Sequence, residues 1–196
     1  MRPFKTTDRL QIPPAEIVAS AMKKRGVVSV LEVGCGAGGI ISQFQGVPLL
    51  MGVDINMAEL QQAAATHPNI TFERVDITQL RDRFQPESFD CVFASDVLEH
   101  FEKRVSNDVL RQMEEVAVMY VAVWSPLGQA GMDDFNRTYA EQGELPQHLC
   151  VITEEEFADR GYMTVTFPSY WSRYYRDEWT PDGLLAIKQK EALWKR

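Results

Sequence analysis

Cysteine is scarce in this chain of 196 residues, and the three that occur, Cys35, Cys91 and Cys150, lie far apart with no Cys-x-x-Cys spacing. That leaves no basis for a zinc finger or a disulfide framework. No His, Asp or Glu set at metal-ligand spacing can be read either, so the sequence assigns no metal. Long apolar runs are missing: none approaches the length of a membrane span, and the N-terminus lacks the charged-then-apolar layout of a secretory leader. The expected location is the cytoplasm. Positive charge is in short supply, with 20 Lys and Arg against 28 Asp and Glu and a formal net charge of −8. A dedicated DNA or RNA surface needs local positive potential, so nucleic acid is not the expected partner. The one small basic cluster, Lys23, Lys24 and Arg25, reads as the last turn of a helix before Gly26. No repeat, low-complexity tract or linker divides the chain, and 45% apolar with 24% charged residues is ordinary for one globular domain.

Against these absences stands a glycine-rich stretch, Val-Leu-Glu-Val-Gly-Cys-Gly-Ala-Gly at residues 30–38. The apolar run Val27 to Val33 stops abruptly at Gly34, Gly36, Gly38 and Gly39, and a second apolar run, Gly39 to Phe44, follows. The pattern predicts a strand, a tight turn and a helix, with bare backbone open to a ligand. Two ligands fit at this point. Gly34, Gly36 and Gly39 satisfy the spacing of a dinucleotide-binding turn, with Asp54 placed for a ribose hydroxyl. Alternatively, Glu32 marks a site for a cofactor without phosphate. A carboxylate in a strand buried on both faces is costly unless it finds donors, either cationic or amide groups in a cleft or simply backbone amides at the strand end.

The acid recurs. The apolar strand Pro48 to Val53 ends in Asp54-Ile55-Asn56, Ile70 to Val75 ends in Asp76-Ile77, and Phe89 to Ala94 ends in Ser95-Asp96-Val97-Leu98-Glu99-His100. Helix-forming segments follow each one: Met57 to Thr66, Gln79 to Phe84 and Phe101 to Met113. Strands alternating with helices mean βαβ units, a parallel sheet and an α/β fold. Glu32, Asp54, Asp76 and Asp96 then share one rim. Carboxylates beside a pyrophosphate would repel it, so the acids weigh against a dehydrogenase.

These residues carry a resemblance. Glu-x-Gly-x-Gly-x-Gly at 32–38, Val-Asp-Ile at 53–55 and again at 75–77, and Ser-Asp-Val-Leu-Glu-His-Phe at 95–101 resemble the class I S-adenosylmethionine-dependent methyltransferases, in the group whose fourth strand runs into Asp-Val-Leu-Glu-His. The resemblance covers roughly residues 27–124. It implies a seven-stranded, mostly parallel Rossmann-like sheet with helices on both faces and a C-terminal antiparallel hairpin. It also implies that Gly34, Cys35, Gly36 and Gly38 form the cofactor loop, with Glu32 behind it. Asp54 would take the ribose hydroxyls, and Ile55 would pack on the adenine. Asp76 and the Ile77 amide would read the adenine edge, and Ser95, Asp96 and Val97 would line the methionine end.

On this reading residues 1–25 form an N-terminal helix or cap, 27–124 the cofactor-binding half, and 125–196 a substrate loop and closing hairpin. Ile17, Val18 and Met22 give the first helix an apolar face that either covers the cleft or pads the sheet edge. Val116 to Val123 reads as a central strand, and a polar loop from Leu127 to Cys150 carries Asp133 and His148. Thr153 to Glu156 opens a helix with a capping-box pattern. The strands Tyr162 to Phe167 and Leu184 to Ile187 flank an aromatic stretch from Tyr170 to Trp179. The expected activity is methyl transfer to a small-molecule acceptor, O-methylation favoured over N-methylation, with His100 and His148 as candidate bases. The protein is expected to be a monomer or homodimer. The alternative is a non-catalytic module that binds the cofactor and acts through a protein partner.

Overall fold

The computed structural model describes residues 14–127, 148–168, 170 and 182–190. Strands β1 (Ser29–Val33), β2 (Leu49–Asp54), β3 (Thr71–Arg74), β4 (Phe89–Ser95), β5 (Ala117–Leu127), β6 (Met163–Phe167) and β7 (Asp182–Gln189) form one sheet in the order β3-β2-β1-β4-β5-β7-β6. The first five strands of that order run parallel, and β7 pairs antiparallel with both β5 and β6. This is the expected α/β sheet with its closing hairpin. The chain reverses its winding between β1 and β4, and in such a sheet the crevice outside the carboxyl ends of those strands is where a ligand binds.

Every residue of β1 is buried, as a central strand requires. On one face, α4 (Lys103–Val116) buries Val109, Leu110, Met113 and Val116, the spacing of a single helical stripe, against Leu31, Val33, Val92 and Val121. Within that stripe Gln112 is polar yet buried. Its Nε2 donates to the Thr78 carbonyl at 2.8 Å and its Oε1 accepts from the Arg81 amide at 3.2 Å, which ties the turn after β3 to α4. On the other face, α1 (Pro14–Lys24) sets Ala15, Val18, Ala19 and Met22 against Val30, Cys91 and Phe93. For the described part of the N-terminal segment, the apolar face thus pads the sheet, and Gly26 at φ +72° ends the helix after Lys23 and Lys24 as expected. Residues 1–13 lie outside the described set.

Helix α2 (Met57–Thr66) coincides with the sequence reading, its first amides taken by the Asn56 side chain. The short α3 (Leu80–Arg83) follows β3, and α5 (Glu154–Asp159) opens on a complete capping box between Thr153 and Glu156. Two expectations need correction. The run after the glycine turn makes no helix: between β1 and β2 there is one 3-10 turn, Ile41–Gln43. Strand β5 continues past Val123 to Leu127, because Trp124, Ser125, Pro126 and Leu127 pair with Leu185, Leu184, Gly183 and Asp182 of β7. No helix among the described residues is long and apolar enough to cross a membrane.

The hairpin closes on Trp124, which is buried and stacks edge-on against Phe167 at 5.4 Å and Tyr170 at 4.6 Å. That part of the aromatic stretch is a packed cluster; residues 171–181 lie outside the described set. Gly183 lets the indole lie flat on β7, since a Cβ there would sit 2.0 Å from Trp124 Cη2. Gly183→Ala should therefore overpack the cluster and cost about 1–3 kcal/mol. In urea unfolding this appears as a lower midpoint at unchanged slope.

Candidate functional site

The site is built where β1, β2, β3 and β4 end. Gly34 turns the chain at φ +72°, and Gly36 and Gly38 also hold positive φ. At Gly34 a second constraint applies, because a Cβ there would lie 2.5 Å from Val97 Cγ2. Only a glycine allows the turn after β4 to pack directly on the glycine loop. The Gly34 and Cys35 amides both donate to the Val53 carbonyl of β2, at 2.8 and 3.0 Å. Cys35 is buried, and burial together with nearby carboxylates pushes its thiol far above the ordinary range, so it acts as a small packing residue.

Glu32 is 1% exposed, and its Oε2 accepts the Ile41 amide at 2.8 Å. Burial, opposed by that bond and reinforced by Asp54, holds its carboxyl well above the usual range. Of the two roles open to this acid, the structure displays the amide acceptor. The consequence reaches further than one bond. A dinucleotide needs a helix N-terminus beyond the glycines to receive its pyrophosphate, and here the helix is a three-residue turn whose first amide is already taken by a carboxylate. The acids that spoke against a dehydrogenase in the sequence do so by contact.

Asp54 joins the two halves of the rim. Its Oδ2 accepts the Gly36 amide and its Oδ1 the Asn56 amide, each at 2.9 Å. An ionised carboxylate has about four acceptor directions, so two remain for a vicinal diol. Ile55 beside it is 59% exposed, a large apolar side chain held out from the core where a flat ring would cover it. Asp76 is exposed; its Oδ1 accepts from the Thr78 amide and hydroxyl, while Ile77 is buried beneath. These features fit an adenosyl group: a carboxylate for its ribose, an apolar side chain for its base, an acid at the base edge and no vacant phosphate cradle.

At the β4 end the chain makes a tight bend. Asp96 adopts φ +53°, and its amide donates to the Trp124 carbonyl at 3.0 Å. A 3-10 turn, Leu98–His100, follows. His100 thus sits at the end of a short turn, two residues before the cap of α4. Ser95 Oγ lies 3.4 Å from Asp96 Oδ2, whereas Asp96 Oδ1 and both carboxylate oxygens of Glu99 are shut off from solvent with no hydrogen-bond partner among the described residues. Burial raises both carboxyl groups, the Ser95 hydroxyl draws Asp96 back down, and Asp96 pushes Glu99 up further. The chain returning after residue 147 docks on the same turn: the Leu149 and Cys150 amides both donate to the Glu99 carbonyl. This brings His148 against His100, ring centroids 4.9 Å apart and steeply inclined. Burial, and then the neighbouring His100, lower the His148 pKa to about 4.

The structure thereby gathers the residues the sequence had spread. Glu32, Gly34, Cys35, Gly36, Gly38, Asp54 and Ile55 stand along one end of the sheet with Asp76, Ile77, Ser95, Asp96 and Val97, and the two histidines meet. Asp133 lies outside the described residues. Sequence reasoning missed Glu99, which figured there only as one letter of a motif, and missed its grouping with the histidines. One donor atom from each of Glu99, His100 and His148 lies within 4.8 Å of the others. The available signal was the adjacency of Glu99 and His100; the 48-position gap to His148 hid the third member.

Residues 30–118 match a family model described as a methyltransferase domain. No curated protein matches the sequence. Among solved structures, the chain is similar to magnesium protoporphyrin IX methyltransferase from Synechocystis, determined with bound S-adenosylhomocysteine, at TM-score 0.64 and 16% identity over 96% of this chain and 90% of that one. It is also similar to the YcgJ protein of Bacillus subtilis, at TM-score 0.65 and 15% identity over 91% and 99%. A SAM-dependent methyltransferase from Archaeoglobus fulgidus gives TM-score 0.62 and 16% identity over 90% and 94%. With the sheet order, the glycine loop and the matched domain in agreement, the chain carries over residues 30–118 a methyltransferase domain of the class I, Rossmann-like, S-adenosylmethionine-dependent kind.

Proposed function

We propose that this methyltransferase acts on a small molecule and methylates oxygen in preference to nitrogen. The observation that supports this is the histidine pair, His100 and His148, set on the turn whose Val97 packs against the glycine loop. The bound cofactor supplies an electrophilic methyl group on a sulfonium sulfur. On our reading Asp54 holds its ribose, Ile55 and Asp76 its base, and the Gly34–Gly36 backbone its methionine end, with Ser95 and Val97 beside it. Glu32 acts from below the loop by fixing Ile41. Alignment of acceptor and methyl group supplies on the order of 7–11 kcal/mol without a covalent enzyme group. A hydroxyl acceptor must also lose its proton, and a neutral imidazole at His148 has a lone pair to offer near pH 7. An amine acceptor that binds neutral has no such need. The net charge of −8 disfavours nucleic acid and so supports the small-molecule reading.

Three outcomes test these assignments. Calorimetric titration with S-adenosylhomocysteine should show binding that Asp54→Ala weakens by about a hundredfold, since two charge-assisted bonds are lost. NADH should not bind. Glu32→Gln keeps an acceptor for Ile41 and removes the buried charge. A carboxyl group whose folded pKa is raised costs stability above its unfolded pKa of about 4.3. The variant should therefore melt at or above the wild-type temperature at pH 7.5, and the difference should vanish as pH falls towards 4. Its S-adenosylhomocysteine affinity should fall far less than that of Asp54→Ala. His148→Ala should slow transfer to a hydroxyl acceptor by about 10²–10⁴-fold with S-adenosylhomocysteine affinity unchanged; equal slowing with an amine acceptor would count against oxygen as the target.

A further inference from the structure

We infer that Glu99, His100 and His148 form a binding site for a divalent transition-metal ion at the acceptor side of the cofactor loop, and that the ion holds the acceptor oxygen. Three observations converge. The donor atoms are already gathered: one from each residue lies within 4.8 Å of the other two. Ligands about 2.1 Å from a common ion stand roughly 3–3.5 Å apart, so side-chain shifts of about an ångström complete the site. The second observation is independent of that spacing. Glu99 is 3% exposed, and neither carboxylate oxygen has a hydrogen-bond partner among the described residues. A buried carboxylate is ordinarily paired, hydrogen-bonded or bound to a metal. Asp96 Oδ1 is in the same position three residues away. A doubly charged cation would compensate both acids.

The third observation is the way the backbone fixes the three ligands. Glu99 and His100 lie on one 3-10 turn, and His148 is delivered to it by the paired donation of the Leu149 and Cys150 amides to the Glu99 carbonyl. Cys150 Sγ adds a contact to the Leu98 carbonyl. Bonds on which no ligation depends thus hold His148 in place.

Two imidazoles and one carboxylate select among metals. This donor set suits zinc, iron(II), cobalt(II), manganese(II) or nickel(II), whereas magnesium and calcium prefer oxygen throughout. Three protein ligands leave coordination positions open, the arrangement of a catalytic rather than a structural ion. The site is also placed for use, because Val97, two residues before Glu99, touches the glycine loop at Gly34. With the ion bound, His148 serves as a ligand and no longer as the base; a hydroxyl bound to the ion would be more acidic and would release its proton to solvent. Its oxygen would then form a bond to the methyl carbon as the carbon–sulfur bond breaks, with the electron pair leaving on sulfur as the neutral thioether. This last step rests on the O-methylation reading; the metal site itself does not.

The test uses the full chain, stripped with chelator and dialysed. Calorimetric titration with zinc(II) and cobalt(II), paired with the visible spectrum of the cobalt form, should show one equivalent bound with d–d bands of a nitrogen–oxygen site. Glu99→Gln and His148→Ala should each weaken binding at least tenfold, while S-adenosylhomocysteine affinity and circular dichroism stay at wild-type values and certify the fold. Wild-type protein that binds no stoichiometric metal, or variants that bind as tightly as wild type, would overturn the site. If metal binds as expected and O-methyl transfer is unaffected by chelation and metal restoration, the acceptor role is overturned and the site stands. If S-adenosylhomocysteine fails to bind while metal does, it is the methyl-transfer assignment that fails.

Discussion

The bond from the Ile41 amide to the Glu32 carboxylate sets the geometry on which the rest of the site depends. A glycine-rich turn has many conformations available, and this one lacks the long helix that would ordinarily anchor its far end. A single buried acceptor on a central strand does that work. It ties residue 41 to β1, and the Gly34 and Cys35 amides tie the near end to β2. The loop is thereby pinned at both ends, and Asp54 reaches across to the Gly36 amide between them. The carboxylate is costly in that environment, which is why its burial raises its pKa. An ionisable group kept under a loop at such cost belongs with other features that trade stability for a site.

The acidic rim has a unified physical logic. Four strands end in acids, yet each acid meets its burden differently. Glu32 accepts one amide, Asp54 bridges two, Asp76 folds back on Thr78, and Asp96 leaves one oxygen unpartnered. The sequence of environments runs from satisfied at the β2 and β3 side to unsatisfied at the β4 side. Binding a neutral ribose and base asks for carboxylates already ordered by amides. The unsatisfied acids, Asp96 and Glu99, stand at the β4 side, and there the unmet demand is for a donor or positive charge.

Much of this was legible in the residues. Strands β1 to β4 are legible as short apolar runs that stop at an acid, and α2 as a helix-forming segment after one of them, because those signals are local. The failures were also physical. The segment from Gly39 to Phe44 has helical periodicity, but Gly46 and Pro48 cut it off before a helix could repay its nucleation, and one turn survives. In the sequence alone the apolar run of β5 ends at Val123, before Trp124-Ser125-Pro126. Its extension comes from pairing with β7, some 60 positions on, after β4 has ended and left one side of β5 where the missing N–H of Pro126 is tolerated. The Glu99–His100–His148 group was hidden for the same reason. Two of its members are neighbours, and the third arrives through a return of the chain that no local pattern encodes.

That return has a consequence for how such an enzyme changes over time. On either side of positions 128–147 the chain is fixed by backbone bonds, β5 to β7 before them and the Leu149 and Cys150 amides to the Glu99 carbonyl after them, and side-chain changes between do not touch those bonds. Insertions and substitutions between those points add little closure entropy, because its cost grows only with the logarithm of length. Drift between these points leaves the glycine-loop half as it is. Two stretches of the chain can therefore vary independently, joined at a single carbonyl oxygen.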